Sequence, residues 1–290
     1  MRNQLVRQAI APLRSVYASS ITAPAAVEAM ASLGLDGMQG YYAVRTLALG
    51  PVPPLVVQAL FFGHSPAFHQ TAGAGVWDRV TPAEVLAATH DGLDRSLGPV
   101  YEELGATARE LTRFLRTAAE RASTRPEGRG LFAANASLPW PEKGHHQLWH
   151  AHVLLREWRG DGHNAILVAE DIDAREALLI HGAWAGMPLL AITTSRQWTA
   201  DQCAPVVAGL QAKGWLTDEA EPTITDEGRR RRDSIEDATD EADAFAYEGL
   251  SDIELARLVD LAAVVGAEVS ARVVQPGVRP TGRDKSVPSR

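Results

Sequence analysis

The strongest constraint on this chain is a recurring helix-start signal followed by apolar residues at three- and four-residue spacing. Thr81-Pro82-Ala83-Glu84 combines a capping hydroxyl, a proline at the first helical position and a glutamate three residues after the cap. The helix it opens runs through Leu97 and ends at Gly98. From Glu102 to Arg121, Leu104, Ala108, Leu111, Leu115 and Ala118 fall on one stripe of a further helix. The same spacing predicts an opening helix over Asn3 to Val16, one from Thr22-Ala23-Pro24 to near Gly34, and one from Leu55 to Phe62. Nothing up to Gly130 alternates with period two, so this region is expected to be all α.

Leu138-Pro139-Trp140-Pro141 cannot be helix interior, and it sets a boundary between an N-terminal helical domain over 1–136 and a second domain over 137–274. In the second domain the spacing predicts a helix from His146 to Trp158, a break at Gly160-Asp161-Gly162, a helix from His163 to Glu170, and another ending near Trp184. Thr199-Ala200-Asp201-Gln202 caps a helix that closes at Lys213-Gly214. Trp215 to Ile224 has the length of two short strands and a tight loop, and Thr225-Asp226-Glu227 opens a charged helix. The final helix, from Ser251, carries Ile253, Leu255, Leu258, Val259, Leu261, Val264 and Val265, a stripe suited to pairing with another helix or with a second subunit, and a homodimer is expected. Residues 275–290 read as a disordered tail.

The expected fold class is therefore mainly α: an N-terminal helical domain, then a winged-helix-like domain with a small β-hairpin wing and C-terminal helices. A chain of 290 residues with 46% hydrophobic and 22% charged residues has the composition of a folded globular protein. Its net charge of -8 excludes a positive field over the whole molecule, so any contact with DNA must be local. The single cysteine, Cys203, excludes an internal disulfide and a cysteine-rich zinc site, which suits a reducing compartment. Arg2, Arg7 and Arg14 precede any long apolar run, so no signal peptide or membrane span is expected and the cytoplasm is the default location.

Two resemblances add to this reading. Gly209-Leu210-Gln211-Ala212-Lys213-Gly214-Trp215-Leu216, followed by Ile224-Thr225-Asp226-Glu227-Gly228-Arg229, resembles the end of a recognition helix, the wing and the next helix of MarR-type winged-helix regulators. Over most of the chain, Tyr41-Tyr42-Ala43-Val44-Arg45, Leu49-Gly50-Pro51-Val52, Leu138-Pro139-Trp140-Pro141, Leu148-Trp149-His150 and Leu155 to His163 resemble the signature blocks of a bacterial family of helix-turn-helix proteins. That second resemblance implies a winged-helix architecture and no established activity.

A duplex reader needs cationic or amide side chains at the exposed start of a helix and cations along its flanks. The candidates are Arg196, Gln202, Lys213 and the run Arg229, Arg230, Arg231 and Arg232. Both candidate reading helices, from Asp173 and from Thr199, begin with an acidic residue that repels phosphate, and Asp226, Glu227, Asp233, Glu236 and Asp237 surround the arginine run.

The densest group of chemical side chains is Arg156-Glu157-Trp158-Arg159-Gly160-Asp161-Gly162-His163, read either as a ligand pocket or as a structural ion-pair junction. Tyr42, Arg45 and Trp77, with Tyr41, Phe61, Phe62, His64 and Phe68, form an aromatic set able to line a cavity, and Trp149 joins the candidate ligand contacts. His146 and His150 share a helix face at a spacing suited to a metal or haem, without the glutamate of a metalloprotease motif; no cofactor is assigned. No nucleophile elbow and no phosphate-binding glycine loop is present, and no catalytic residue is assigned. The function expected is a ligand-responsive MarR-like transcriptional regulator taking a small molecule and possibly duplex DNA. The alternative is a small-molecule-binding protein or enzyme centred on Arg156, Glu157, Asp161 and His163.

Overall fold

A computed structural model describes residues 2–273; the tail expected to be disordered lies outside the described residues. In chain order the helices are α1 (Arg2–Ile10), α2 (Arg14–Ala18), α3 (Pro24–Ser32), α4 (Gly37–Thr46), α5 (Pro54–Phe61), α6 (Pro66–Ala72), α7 (Val76–Arg79) and α8 (Pro82–Leu104). They continue with α9 (Ala106–Ala122), α10 (Gly130–Ala136), α11 (Gly144–Ala169), α12 (Ala174–Trp184), α13 (Leu189–Thr194), α14 (Ala200–Ala212), α15 (Asp226–Ala244) and α16 (Asp252–Arg272). Capping boxes at Thr81, Thr199 and Ser251 start α8, α14 and α16 where the sequence places helix starts.

The body of the molecule is built around α11, which packs along α9 and α15 and is crossed by α10, while α16 closes over α1, α2 and α9. Its core runs from Val6 to Val273 and includes Leu13, Leu111, Leu115, Leu148, Trp158 and Leu258, all excluded from solvent. A second core under α4 to α7 gathers Tyr42, Val57, Phe61, Phe68 and Leu131. The third belongs to α12, α13 and α14, which pack on one another and seat Leu179, Ile180, Leu210, Trp215 and Leu216 against Leu167 of α11 and Ile235 of α15. Helices α11 and α15 thus run from the body into this three-helix unit.

Two predicted breaks are absent. Helix α8 continues past Gly98 and Pro99 to Leu104, and α11 continues through Gly160-Asp161-Gly162 to Ala169. Gly162 is a close-approach site: a Cβ there would lie 2.6 Å from Nη1 of Arg129. Arg129 stacks on Trp158 at 3.6 Å, donates to the Trp158 carbonyl, and donates to the Ala242 carbonyl at 2.9 Å. Burial of this stack offsets the roughly 1 kcal/mol that a glycine costs inside a helix.

The winged-helix expectation is overturned: the described residues contain no β-strand, so no hairpin wing follows α14. What remains of it is one antiparallel bridge, Leu216 with Ile224, flanked by the Thr217 amide donating to the Thr223 carbonyl at 2.9 Å. Trp215 and Leu216 are committed to the core below, and the loop tip Asp218-Glu219-Ala220-Glu221 is exposed, with like charges that disfavour paired strands. The neighbouring features hold: Gly214 closes α14 at φ 73°, and the Thr225 hydroxyl accepts from the Gly228 amide to cap α15.

The apolar stripe of α16 faces inward. Leu255, Leu258, Leu261 and Val265 are in the body core, and Ile253 and Val264 are its exposed large apolar residues. Among the described residues no helix is long and apolar enough to cross a membrane.

Candidate ligand cavity

A cavity of about 620 Å³ lies where the three-helix unit meets the body. The body contributes Tyr41 and Arg45 of α4, Phe61 of α5, and Arg156, Glu157 and Asp161 of α11; the three-helix unit contributes Leu178 and Ile180 of α12, Ile192 of α13 and Arg196 just beyond it. Its size is that of a small-molecule site, and its wall combines an apolar surface with a few fixed charges.

The charged part centres on Glu157. Arg45 donates to its Oε1 at 2.6 Å and to the Tyr17 hydroxyl at 3.0 Å, and Arg156 donates to the same Oε1. Burial opposes ionisation of Glu157, but the guanidiniums of Arg156 and Arg45 outweigh it and hold its carboxyl below the usual range. The plane of Arg45 lies 4.4 Å over Phe61 and that of Arg156 lies 4.4 Å over Tyr17, so both cations are fixed by stacking. Two guanidiniums therefore share one carboxylate.

Deeper along α11, a second charged seam joins it to α15. Arg159 meets Glu236 at 2.8 Å and Asp240 at 2.7 Å, and Arg232 meets Glu236 at 2.5 Å. Burial pushes the Asp243 carboxyl up to about 7 and that of Asp161 up to about 6. Asp161 accepts from the Phe132 amide at 2.8 Å and so caps the start of α10, while His163 Nδ1 lies 2.9 Å from the Thr239 hydroxyl. The Thr239 hydroxyl donates to the Ile235 carbonyl, which assigns the donor role in that contact to the imidazole. These partners join helices.

Of the candidate ligand residues, Arg45, Arg156, Glu157, Arg159, Asp161 and His163 all line the cavity. Tyr42 is instead in the core under α4 to α7, Trp77 packs at its edge, and Trp149 is buried in the body beside His90. The candidate DNA contacts divide as well. Arg196 and Arg232 are buried and line the cavity, whereas Gln202, Lys213, Arg229, Arg230 and Arg231 are exposed. Lys213 pairs with Glu176 at 2.7 Å, Arg230 pairs with Glu227 at 2.6 Å, and Arg231 lies 4.0 Å over Trp215. Exposed Asp201, Asp218, Glu219 and Glu221 stand around them.

His146 and His150 turn to different partners: His146 Nε2 lies 2.9 Å from Asp94, and His150 packs edge-on to Trp140. Burial lowers both imidazoles to about 4, keeping them neutral. The group able to hold a metal is instead Asp94, His145 and His146, whose ligand atoms lie within 4.8 Å of one another. Asp94 belongs to α8, so no local spacing could reveal it. Lys143 also binds this carboxylate, at 2.6 Å, which makes Asp94 a tether between α8 and the first turn of α11.

The joint beside the cavity is made by one backbone pair and one indole. The Ser65 amide donates to the Arg196 carbonyl at 3.0 Å, and Trp198 Nε1 donates to the Gly63 carbonyl at 3.1 Å. On either side of this contact, Phe62 and Gln197 adopt φ 50° and 58°, conformations that non-glycine residues seldom hold.

A family model described as a helix-turn-helix family matches residues 6–276 of the chain. No curated protein and no solved structure matches it.

Proposed function

The chain belongs to a helix-turn-helix family, and from that premise we propose that it is a ligand-responsive DNA-binding regulator. The helix-turn-helix is read as α13, the Ser195-to-Thr199 turn and α14, with α12 packed behind them. One observation carries the proposal: the cavity wall is drawn from both this unit and the body, so an occupant that fills it touches the two at once. A molecule that binds one relative placement of unit and body better than another shifts the balance between them by its difference in affinity.

Duplex contact falls to the first turn of α14 and to exposed Arg229, Arg230 and Arg231 of α15. The test is retention on random duplex DNA at low salt, for the native protein and for the triple variant Arg229→Ala, Arg230→Ala, Arg231→Ala, each with and without small molecules extracted from the purified protein. Retention that weakens with salt, drops in the variant and changes with ligand is expected. No retention of the native protein at low salt, under either condition, rejects DNA binding.

A second reading is favoured by the acidic tip at Asp218, Glu219 and Glu221 and by Asp201 at the start of α14. These carboxylates oppose a phosphate backbone, and they suit a protein that binds its ligand and acts on a partner other than nucleic acid. It predicts tight ligand binding with no duplex retention.

A further inference from the structure

We propose that the cavity takes an amphipathic carboxylate, an aliphatic molecule whose single carboxylate sits between Arg196 and the Arg45–Arg156 pair. The inference rests on the reading of this cavity as a ligand site and names its ligand class. Arg196 is the observation that points to an anion. The residue is 9% exposed, yet its Nη1 makes only two long hydrogen bonds, both at 3.4 Å and both to its chain neighbour Ser195. It forms no ion pair with any carboxylate among the described residues. A buried guanidinium in that state is rare, because removing its charge from water is costly unless a counter-charge is supplied.

The neighbouring charges do not supply one. Glu157 is shared by Arg45 and Arg156, so the three arginines at this end of the cavity face one carboxylate and keep a surplus of positive charge. Asp161 also lines the cavity, but it is directed to the start of α10. A ligand carboxylate would supply the missing counter-ion, and a guanidinium presents the paired donors that a carboxylate accepts. The wall also carries an aliphatic stretch of Leu60, Leu167, Leu178, Ile180, Met187 and Ile192, which suits an apolar ligand body. Because Arg196 lies in the turn, where its own carbonyl meets Ser65 and the Trp198 indole meets Gly63, a carboxylate held by Arg196 and Arg45 together ties the helix-turn-helix to α4. That tie gives the ligand a route to the disposition of α14.

The experiment is calorimetric titration of the full chain with decanoate and with 1-decanol, which share an aliphatic body and differ in charge. Decanoate is expected to bind at least about ten-fold more tightly, the scale of one charge-assisted pair. Arg196→Met, which keeps the bulk and removes the charge, is expected to cost decanoate about ten-fold or more and to leave decanol within about two-fold. The unliganded variant should also melt at a higher temperature than the native protein, because an uncompensated buried charge is gone. Equal affinities of the native protein for the two compounds overturn the proposal without recourse to any variant, as does an Arg196→Met protein that is folded by its melting transition and binds decanoate unchanged. Duplex retention, measured on immobilised DNA over the same decanoate concentrations, separates the two claims. Tight decanoate binding that leaves retention untouched sinks the regulatory reading and leaves the ligand class standing, whereas loss of the preference for decanoate sinks the ligand class alone.

Discussion

The body and the joint solve opposite problems with the same helices. Around Leu111, Leu115, Leu148 and Trp158 the body is apolar and closely packed, and burial keeps the imidazoles of His150 and His152 neutral. Beside Trp158 on the same helix, the joint is hollow and carries Arg45, Arg156, Arg159, Arg196 and Arg232. Apolar packing fixes a single arrangement, whereas a charged hollow leaves an interaction for something else to complete. The contrast locates close packing in the body and, in the function proposed above, responsiveness at the joint.

Acidification should break the comparison most strongly. His69, His146 and His150 are lowered to about 4 by burial and His152 to about 3, so the unfolded chain takes up their protons first as pH falls below about 6.5. Stability from these groups is present above that pH and is lost on the way down to their folded values. Asp243, raised to about 7, and Asp161, raised to about 6, act in the opposite sense, since their folded forms take up protons first. The histidines are more numerous, so stability should fall between pH 6.5 and 4, by about 1.4 kcal/mol per pH unit for each proton in excess. Urea denaturation at pH 7 and pH 5 measures it; equal stabilities would show that the carboxyls at the joint cancel the histidines.

Next in size is Glu157→Gln, which leaves Arg45 and Arg156 buried without their shared counter-ion and should cost about 3–5 kcal/mol in urea denaturation. A sharper comparison sets Leu111→Ala in the body, expected to cost about 2–5 kcal/mol, against Ile192→Ala in the cavity wall. Ile192 already faces open space, so its truncation should cost less, about 1–2 kcal/mol. Equal losses would mean that the cavity is closed in solution. Smallest is Glu110→Gln, which removes the half-buried partner of exposed Arg257 on α16 and should leave the denaturation curve unchanged within error.

Much of this contrast was legible in residue order, and the gaps have physical causes. The capped starts at Thr81, Thr199 and Ser251 are local signals that depend on four consecutive residues, so they survive any tertiary context. The cluster from Arg156 to His163 is dense enough to mark the joint by itself. The glycines at 160 and 162 misled because their role is steric room for Arg129, a residue far back in the chain. The wing failed because two strand-length segments lack the surrounding sheet that would hold them, and Trp215 and Leu216 serve the core. Arg196 was assigned outward because a helix start in a reading motif is usually exposed; only the packing of its turn on Ser65 reverses it. For Arg232 a signal existed. Consecutive helical residues advance by about 100°, so four arginines in a row cannot all face solvent beside a core, and the fourth turns in.

Helix α11 gives the joint leverage. Its 26 residues span ~39 Å, so a tilt of ~5° pivoting at one end would carry the other by ~3 Å. Glu157 lies near its middle and Leu167 near its tip under α12 and α14, so a small adjustment around the carboxylate is magnified before it reaches those two helices. In the function proposed above, such a rod would turn a local ionic event at Glu157 into a displacement of α12 and α14 on the scale of a side chain.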